Sequence, residues 1–251
     1  SIKKAGIYDE AVKILKEEDI EIFELSGIAP NPKIESVREG VKLCKENDID
    51  MVLAIGGGSV IDCAKVVAAG ACYDGDPWDL VITPRWIKKA LPIYSVLTLS
   101  ATGSEMDPFA VISDMSKNEK WGTSSEHMKP KMSILDPEYT YSVSKKQTAA
   151  GTADMISHIC ENYFTNVKNA DVQARFAEGL LKNCFKYGPI ALEEPDNYDA
   201  RANLMWTASM AINGILSDGA EVSWCVHPME HELSAFYDIT HGEGLAILTP
   251  H

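Results

Sequence analysis

A change of pattern near residue 142 constrains the fold of this chain more than any other feature of the sequence. Before it, short apolar runs alternate with segments of helical periodicity. The predicted strands are 21–27, 50–55, 93–99, 109–113 and 132–136. The predicted helices between them are 8–18, 30–48 and 59–71, and Ile34, Val37, Val41 and Leu43 form the inner face of the second helix. This alternation predicts a doubly wound α/β domain, a mainly parallel sheet with helices on both faces.

After residue 142 the sequence has almost no strand-like run. Helical periodicity covers 145–164, 172–193 and 199–216, and residues 224–237 also resemble a helix, interrupted by Pro228. The prediction is an α/β domain of residues 1–142 followed by an all-α domain of residues 143–251.

Composition excludes several classes of function. The 251 residues carry a formal net charge of −14, which disfavours nucleic acid as a partner. The six cysteines form no C-x-x-C pair and indicate free thiols in a reducing compartment. No apolar run approaches the ~20 residues that span a bilayer, and the first residues lack the apolar core of a signal peptide. We therefore expect a cytoplasmic protein with no membrane partner. The absence of an initiator Met and the end at His251 suggest a fragment incomplete at both ends.

A run of three glycines joins a predicted buried strand to a predicted helix. Gly56, Gly57 and Gly58 allow a sharp turn and a close approach of a ligand, and the helix start offers unpaired N–H groups to an anion such as a pyrophosphate. The alternative is a tight turn in which Ser59 is an ordinary N-cap. The run is not the usual G-x-G-x-x-G fingerprint. Asp62, on the first helical turn, either bonds a ribose or nicotinamide group or favours the helix dipole.

A second polar loop, residues 98–105, follows the next long strand. Thr98 and Thr102 are among its four hydroxyl residues. Ligands of open α/β sheets bind beyond the carboxyl ends of the strands, so this loop is a candidate second wall of the same cleft.

Histidines and one aspartate cluster in the helical half. Asp154 and His158 are four residues apart and share a helix face, as do His227 and His231, and His241 follows ten residues later. A carboxylate with imidazoles suits Fe(II) or Zn(II). The alternative for the first pair is an ordinary exposed i,i+4 contact.

Residues 227–231 also match H-x-x-E-H, the inverted zinc-peptidase signature. In that alternative, His227 and His231 bind zinc and Glu230 is the general base. It leaves Asp154, His158, His241 and the glycine turn without a role.

Taken together, these segments resemble the iron-containing (group III) alcohol dehydrogenases, in particular the butanol dehydrogenase and aldehyde reductase branch. The resemblance extends over essentially the whole chain. It rests on GGGSVIDCAK, LTLSATGSEMD, ILDPEYTY, GTADMISHICENY and HELSAFYDITHGEGLAI.

The resemblance implies a dinucleotide-binding α/β domain (1–142, its first strand missing) and a helical metal-binding domain (143–251, incomplete). The implied metal ligands are Asp154, His158, His227 and His241. The implied cofactor contacts are Gly56, Gly57, Gly58, Ser59, Asp62, Thr98, Thr102 and Lys120, the lysine contacting a ribose. His231 then lines the active site without binding metal and is a candidate proton relay. Pro228 requires a kink or a later helix start if His227 is to reach the metal.

The implied function is hydride transfer between a nicotinamide cofactor, NAD or NADP, and a primary alcohol or aldehyde such as butanol or butyraldehyde. The branch that the chain resembles favours NADP. The implied metal is Fe(II) or Zn(II), and the expected assembly is a homodimer. Glycerol dehydrogenase and dehydroquinate synthase share this fold and remain alternatives, as does a chain that binds metal without turnover.

Overall fold

The computed structural model describes residues 2–251, so Ser1 lies outside the described residues. The α-helices are α1 (Ile7–Glu17), α2 (Ile34–Glu46), α3 (Gly58–Gly70), α4 (Pro77–Ile82), α5 (Lys145–Tyr163), α6 (Asp171–Glu193), α7 (Tyr198–Ile212), α8 (Val226–Tyr237) and α9 (His241–Leu248). The strands are β1 (Val52–Gly56), β2 (Ile93–Leu97), β3 (Phe109–Asp114), β4 (Glu119–Ser124) and β5 (Met132–Ile134). Short 3₁₀ helices cover Pro84–Trp86, Glu126–Met128 and Pro137–Thr140.

Three strands form a parallel sheet in the order β1-β2-β5. Val52 pairs with Ile93 and Gly56 with Leu97, so β1 and β2 end at the same edge. The backbone N–H of Thr98 donates to the carbonyl of Gly56 at 3.0 Å and extends this pairing into the loops. The glycine turn and the loop 98–105 are therefore neighbours beyond the carboxyl ends of the strands, as the sequence predicted.

Two strand predictions need correction. Residues 21–27 form no strand, because no described segment exchanges backbone hydrogen bonds with them. Residues 109–114 do form a strand, but β3 pairs antiparallel with β4 in a hairpin outside the parallel sheet. Strand β4 was not predicted, because its sequence, EKWGTS, has no apolar run.

The core of the α/β half lies between α2, α3 and α4. Ile34, Val37 and Val41 of α2 are buried as predicted, whereas Leu43 is only half-buried and Cys44 takes the inner position. Helix α3 is buried on nearly every side.

The cation of Lys65 lies inside this core. Its Nζ donates to Ser104 Oγ (2.9 Å), Asp107 Oδ1 (2.8 Å) and the carbonyl of Phe109 (2.6 Å). A buried ammonium group requires such partners. This network ties α3 to the end of the second loop.

From Lys145 onwards every regular element of the described chain is a helix. Helix α5 packs against α6, α7 and α9. Helix α7 ends at Ile212 rather than at 216, since Gly214 follows in a left-handed conformation (φ 105°). None of the helices in residues 2–251 is long and apolar enough to cross a membrane.

Pro228 does not interrupt its helix. Helix α8 begins at Val226, so Pro228 lies in the first turn, where the missing N–H has no carbonyl to pair with. This is the later helix start that the sequence required.

Candidate metal centre and cofactor cleft

The glycine turn leaves the start of α3 open. Strand β1 ends at Gly56, α3 begins at Gly58, and Gly57 is the N-cap with no side chain bonded to the helix end. The alternative of Ser59 as an ordinary N-cap is therefore wrong. The free N–H groups and the positive end of the helix dipole face the cavity described below and form an anion-binding element.

Glycine is required here by the second loop. A Cβ on Gly58 would lie 2.3 Å from Thr102 Oγ1, and a Cβ on Gly57 would lie 3.1 Å from Leu99 Cβ. The backbone of Gly57 and Gly58 therefore packs directly against the side chains of Leu99 and Thr102, and a residue with a Cβ would not fit there.

Asp62 of α3 is hydrogen-bonded to the second loop. Its carboxylate accepts from Ser104 Oγ at 2.6 Å and from the N–H of Val111 at 2.9 Å. Burial raises the pKa of Asp62 to about 6. Since both oxygens already have protein partners, the contact of Asp62 with a nicotinamide or ribose group stays a prediction.

One cavity of about 1290 Å³ connects the two halves of the chain. Its volume exceeds the roughly 300–1,000 Å³ of typical small-molecule pockets. Its walls include Gly56, Gly57, Gly58, Ser59, Thr98, Thr102, Asp154, Thr240 and His241. Six of the eight predicted cofactor contacts, all except Asp62 and Lys120, and two of the predicted metal ligands thus face one space.

Four predicted ligands converge at the helical end of this cavity. Helix α5 carries Asp154 and His158, His227 lies in the first turn of α8, and His241 is the first residue of α9. Asp154 Oδ1 lies 3.6 Å from His158 Nε2, 3.7 Å from His227 Nε2 and 3.7 Å from His241 Nε2. Donors about 2.1 Å from one tetrahedral ion lie roughly 3.4 Å apart, so the separations from Asp154 fit a single divalent ion. The donor atoms of Asp154, His227 and His241 all lie within 4.8 Å of one another, whereas His158 is close to Asp154 but outside that group.

The donor atoms also lack protein partners. Asp154 Oδ1 and His227 Nε2 are buried and accept or donate no hydrogen bond. Leaving polar atoms buried and unpaired is costly, and a bound cation satisfies both. The residues present therefore fit a divalent metal.

The electrostatics of Asp154 and His158 agree with this fit, whereas metal binding at His227 requires the loss of a proton: burial opposes its protonation, but the contacts with Asp154 and Glu161 raise its pKa to about 9. Burial opposes ionisation of Asp154, but the imidazole of His158 and the other two rings hold its pKa below the usual value. Burial lowers the pKa of His158 to about 4, so this ring is neutral. An ionised carboxylate and a neutral imidazole are the forms that bind metal.

Glu230 lies behind His241. It is fully buried, accepts from His241 Nδ1 and Ser234 Oγ, and pairs with Lys120 Nζ at 3.0 Å. Burial opposes its ionisation, but the contacts with His241 and Lys120 lower its pKa to about 2. A carboxylate bound on both oxygens and shielded from solvent cannot activate water as a general base.

The peptidase alternative is therefore wrong. Besides the engaged Glu230, it requires His227 and His231 to bind one ion. Among the described residues, one possible metal-binding group is Asp154, His227 and His241, and a second is Glu230, His231 and His241. Neither group contains both His227 and His231.

His231 lies beside the candidate centre. Its ring centroid is 5.7 Å from that of His241, and the side chain is half-buried. Burial lowers its pKa to about 3, so the ring is neutral near pH 7. Its role as a proton relay stays a prediction.

Lys120 is placed near the ligands rather than near the glycine turn. Its Nζ lies 3.3 Å from His241 Nδ1 and 3.1 Å from Asn31 Oδ1. The ribose contact implied by the resemblance stays a prediction, because Lys120 does not line the cavity and its Nζ already contacts Asn31 and Glu230.

Sequence reasoning missed one further carboxylate. Glu161 Oε2 lies 2.6 Å from His227 Nδ1. The signal for it was its position seven residues after Asp154, on the same face of α5.

Two family models match the chain. The family described as iron-containing alcohol dehydrogenase matches residues 1–137, and its Fe-containing alcohol dehydrogenase C-terminal family matches residues 148–251.

Named relatives agree. The chain is 62% identical over 250 residues to NADH-dependent butanol dehydrogenase A of Clostridium acetobutylicum, covering 100% of this chain and 64% of that protein. It is 43% identical to NADPH-dependent aldehyde reductase YqhD of Escherichia coli, covering 100% of this chain and 65% of the reductase. The chain thus spans less than two thirds of the length of these relatives.

A solved structure has the same fold. The crystal structure of NADH-dependent butanol dehydrogenase A from Thermotoga maritima superposes with a TM-score of 0.97 at 48% identity, covering 99% of this chain and 63% of that one. From the family matches, the identities and the shared fold, we conclude that this chain belongs to the iron-containing alcohol dehydrogenase family.

Proposed function

We propose that this chain forms the cofactor- and metal-binding core of an NAD(P)-linked, metal-dependent alcohol dehydrogenase or aldehyde reductase that acts on primary alcohols and aldehydes such as butanol and butyraldehyde. The observation that carries this proposal is the single cavity that joins the glycine turn to Asp154 and His241. The nicotinamide would have to reach the substrate carbon while the metal holds the oxygen on that carbon, so both binding sites must open into one space, and this cavity allows it.

The chain supplies binding and orientation. The open start of α3 at Gly57 and Gly58 binds the pyrophosphate of the dinucleotide, and Thr98 and Thr102 line the opposite wall. When bound, the nicotinamide carries the hydride and the metal acts as a Lewis acid on the substrate oxygen.

The side chains also set the charge of the site. Imidazoles that bind a metal are neutral, so one carboxylate and three imidazoles would cancel only part of a divalent charge. The site would then retain positive charge to polarise an oxygen ligand. Mixed carboxylate and imidazole donors suit Fe(II) or Zn(II), and we propose one of these two. We propose His231, whose ring lies beside that of His241, as the proton relay.

The relatives favour NADH over NADPH. Two proteins 62% and 61% identical to this chain are named NADH-dependent, whereas the YqhD reductase named NADPH-dependent is 43% identical. We therefore propose NADH, in place of the lean towards NADP.

Anaerobic assays test the proposal. With Fe(II) or Zn(II) added, we expect butyraldehyde-dependent oxidation of NADH, and loss of that activity in Asp154→Ala with NADH binding retained. Aldehyde-dependent net oxidation also distinguishes the proposed activity from that of a dehydroquinate synthase, and a preference for butanol over glycerol distinguishes it from glycerol dehydrogenase. NADH that fails to bind, or binds equally well to a variant with a blocked glycine turn, would contradict the proposal.

A further inference from the structure

Glu161 lies on the same face of α5 as the candidate metal ligands Asp154 and His158. Asp154, His158 and Glu161 occupy positions i, i+4 and i+7 of α5 and face the same direction. Glu161 is 4% exposed. A carboxylate this deeply buried requires strong partners.

The two oxygens of Glu161 bind both the ring and the backbone of one segment. Oε2 lies 2.6 Å from His227 Nδ1. Oε1 accepts the backbone N–H groups of Cys225 (3.0 Å), Val226 and His227 (3.2 Å). These N–H groups are at the start of α8, where a helix leaves donors unpaired. Pro228, the next residue, has no N–H, so the donors available there are the ones that Glu161 accepts.

This arrangement determines which ring nitrogen faces the ligand cluster. An ionised carboxylate can only accept, so His227 Nδ1 must carry the shared proton. When the ring is neutral, as metal binding requires, its lone pair is then on Nε2. That atom lies 3.7 Å from Asp154 Oδ1, is buried and has no hydrogen-bond partner.

Glu161 makes no hydrogen bond to the other two candidate histidine ligands. His241 has its own carboxylate, Glu230, and His158 Nδ1 is buried with no partner. The ring of His158 stacks on that of His227, with centroids 4.6 Å apart and an interplanar angle of 8°. Fixing His227 therefore also restricts the plane of His158.

We propose that Glu161 is a positioning residue of the metal centre: it holds His227 in the tautomer and orientation that present Nε2 to the ion, and fixes the start of α8 at the same time. This inference rests on the metal site of the proposed function. Hydrogen-bond partners of this kind are worth about 10- to 100-fold in metal affinity.

Glu161→Gln separates orientation from folding. Glutamine keeps one oxygen for the backbone N–H groups, but its NH₂ group donates to His227 Nδ1 and favours the tautomer with hydrogen on Nε2. We expect the Zn²⁺ dissociation constant from competition titration to rise about 10- to 100-fold. The melting temperature of the metal-free protein should stay close to that of the wild type. The visible d–d bands of the Co²⁺-loaded protein should change, because one imidazole donor is displaced.

Two further variants control this experiment. Glu161→Asp keeps a carboxylate and should lose less affinity than Glu161→Gln, with the wild-type Co²⁺ spectrum retained. Glu178→Gln changes a carboxylate of similar length that accepts from Tyr163 outside the site, and should alter neither readout.

The outcomes distinguish the inference from the function on which it rests. If wild type binds Zn²⁺, Asp154→Ala does not, and Glu161→Gln binds as tightly as wild type with an unchanged Co²⁺ spectrum, the positioning role is wrong while the metal site stands. Equal losses in Glu161→Asp and Glu161→Gln would also contradict it. If the wild type binds no Zn²⁺, or Asp154→Ala binds it as tightly, the proposed metal site itself is wrong and the inference falls with it.

Discussion

At the scale of single residues, Gly58 determines how closely the two cofactor loops approach. We predict that Gly58→Ala weakens NADH binding at least about 10-fold and destabilises the fold by about 1–3 kcal/mol, because its Cβ would lie 2.3 Å from Thr102 Oγ1. Fluorescence titration with NADH and thermal melting measure both effects.

Gly122→Ala is the matched control for this prediction. A Cβ on Gly122 meets nothing within 4 Å, so this variant should bind NADH as the wild type does. Equal behaviour of the two variants would contradict a role for close loop contact.

The candidate ligands were easier to find in the sequence than the residues that support them. The i,i+4 spacing of Asp154 and His158 follows from helix geometry. Spacing alone could not decide between His227 and His231, and the resemblance was needed. Glu161 was missed because its partner, His227, is 66 residues away, and only the packing of α8 on α5 brings them together.

At the scale of elements, Asp62 links α3 to the second loop and makes this link dependent on pH. Its folded-state pKa of about 6 lies above the ordinary 3.8, so the folded protein keeps a proton that the unfolded chain has lost. Rising pH between about 4 and 6 should therefore lower the free energy of unfolding of wild type relative to Asp62→Asn, by about 3 kcal/mol.

Urea unfolding of both proteins across this pH range measures that difference. Above about pH 6 the difference should become constant, since both states are then ionised. A stability difference that does not change with pH would show that Asp62 is not held in its protonated form by burial.

Helices were predicted from periodicity more accurately than strands. The boundaries of α5, α6 and α8 lie within a few residues of the predicted ones, because 3.6-residue spacing is a local property. Strand pairing is a tertiary property. Residues 21–27 have strand-like composition but no described partner, and β3 pairs with a neighbour whose own sequence gave no signal.

At the scale of the whole molecule, polar contacts join the β-hairpin side of the chain to α8 and α9. Lys120 of β4 binds Glu230 of α8, and Asn31 Nδ2 donates to Asp238 Oδ1 at 3.1 Å. The carboxylate that bonds to His241 is thus held from both halves of the chain. The homodimer expected from the resemblance stays a prediction.

Removing this buried cation should weaken the attachment of the two halves. We predict that Lys120→Met lowers the free energy of unfolding by about 3–5 kcal/mol, because it leaves the buried Glu230 without its cation. Chemical denaturation measures this loss. Lys117→Met, at an exposed lysine, should cost little, and an equally small loss at Lys120 would mean that the buried pair contributes no net stability.

The central claim is that Asp154, His158, His227 and His241 hold one divalent metal, and the most direct test is the metal content of anaerobically prepared protein. Wild type should bind about one ion per chain. Asp154→Ala and His241→Ala should lose it, and His231→Ala should keep most of it, with folding checked by circular dichroism. Loss of the ion in folded His231→Ala, with retention in Asp154→Ala, would contradict the four-ligand site.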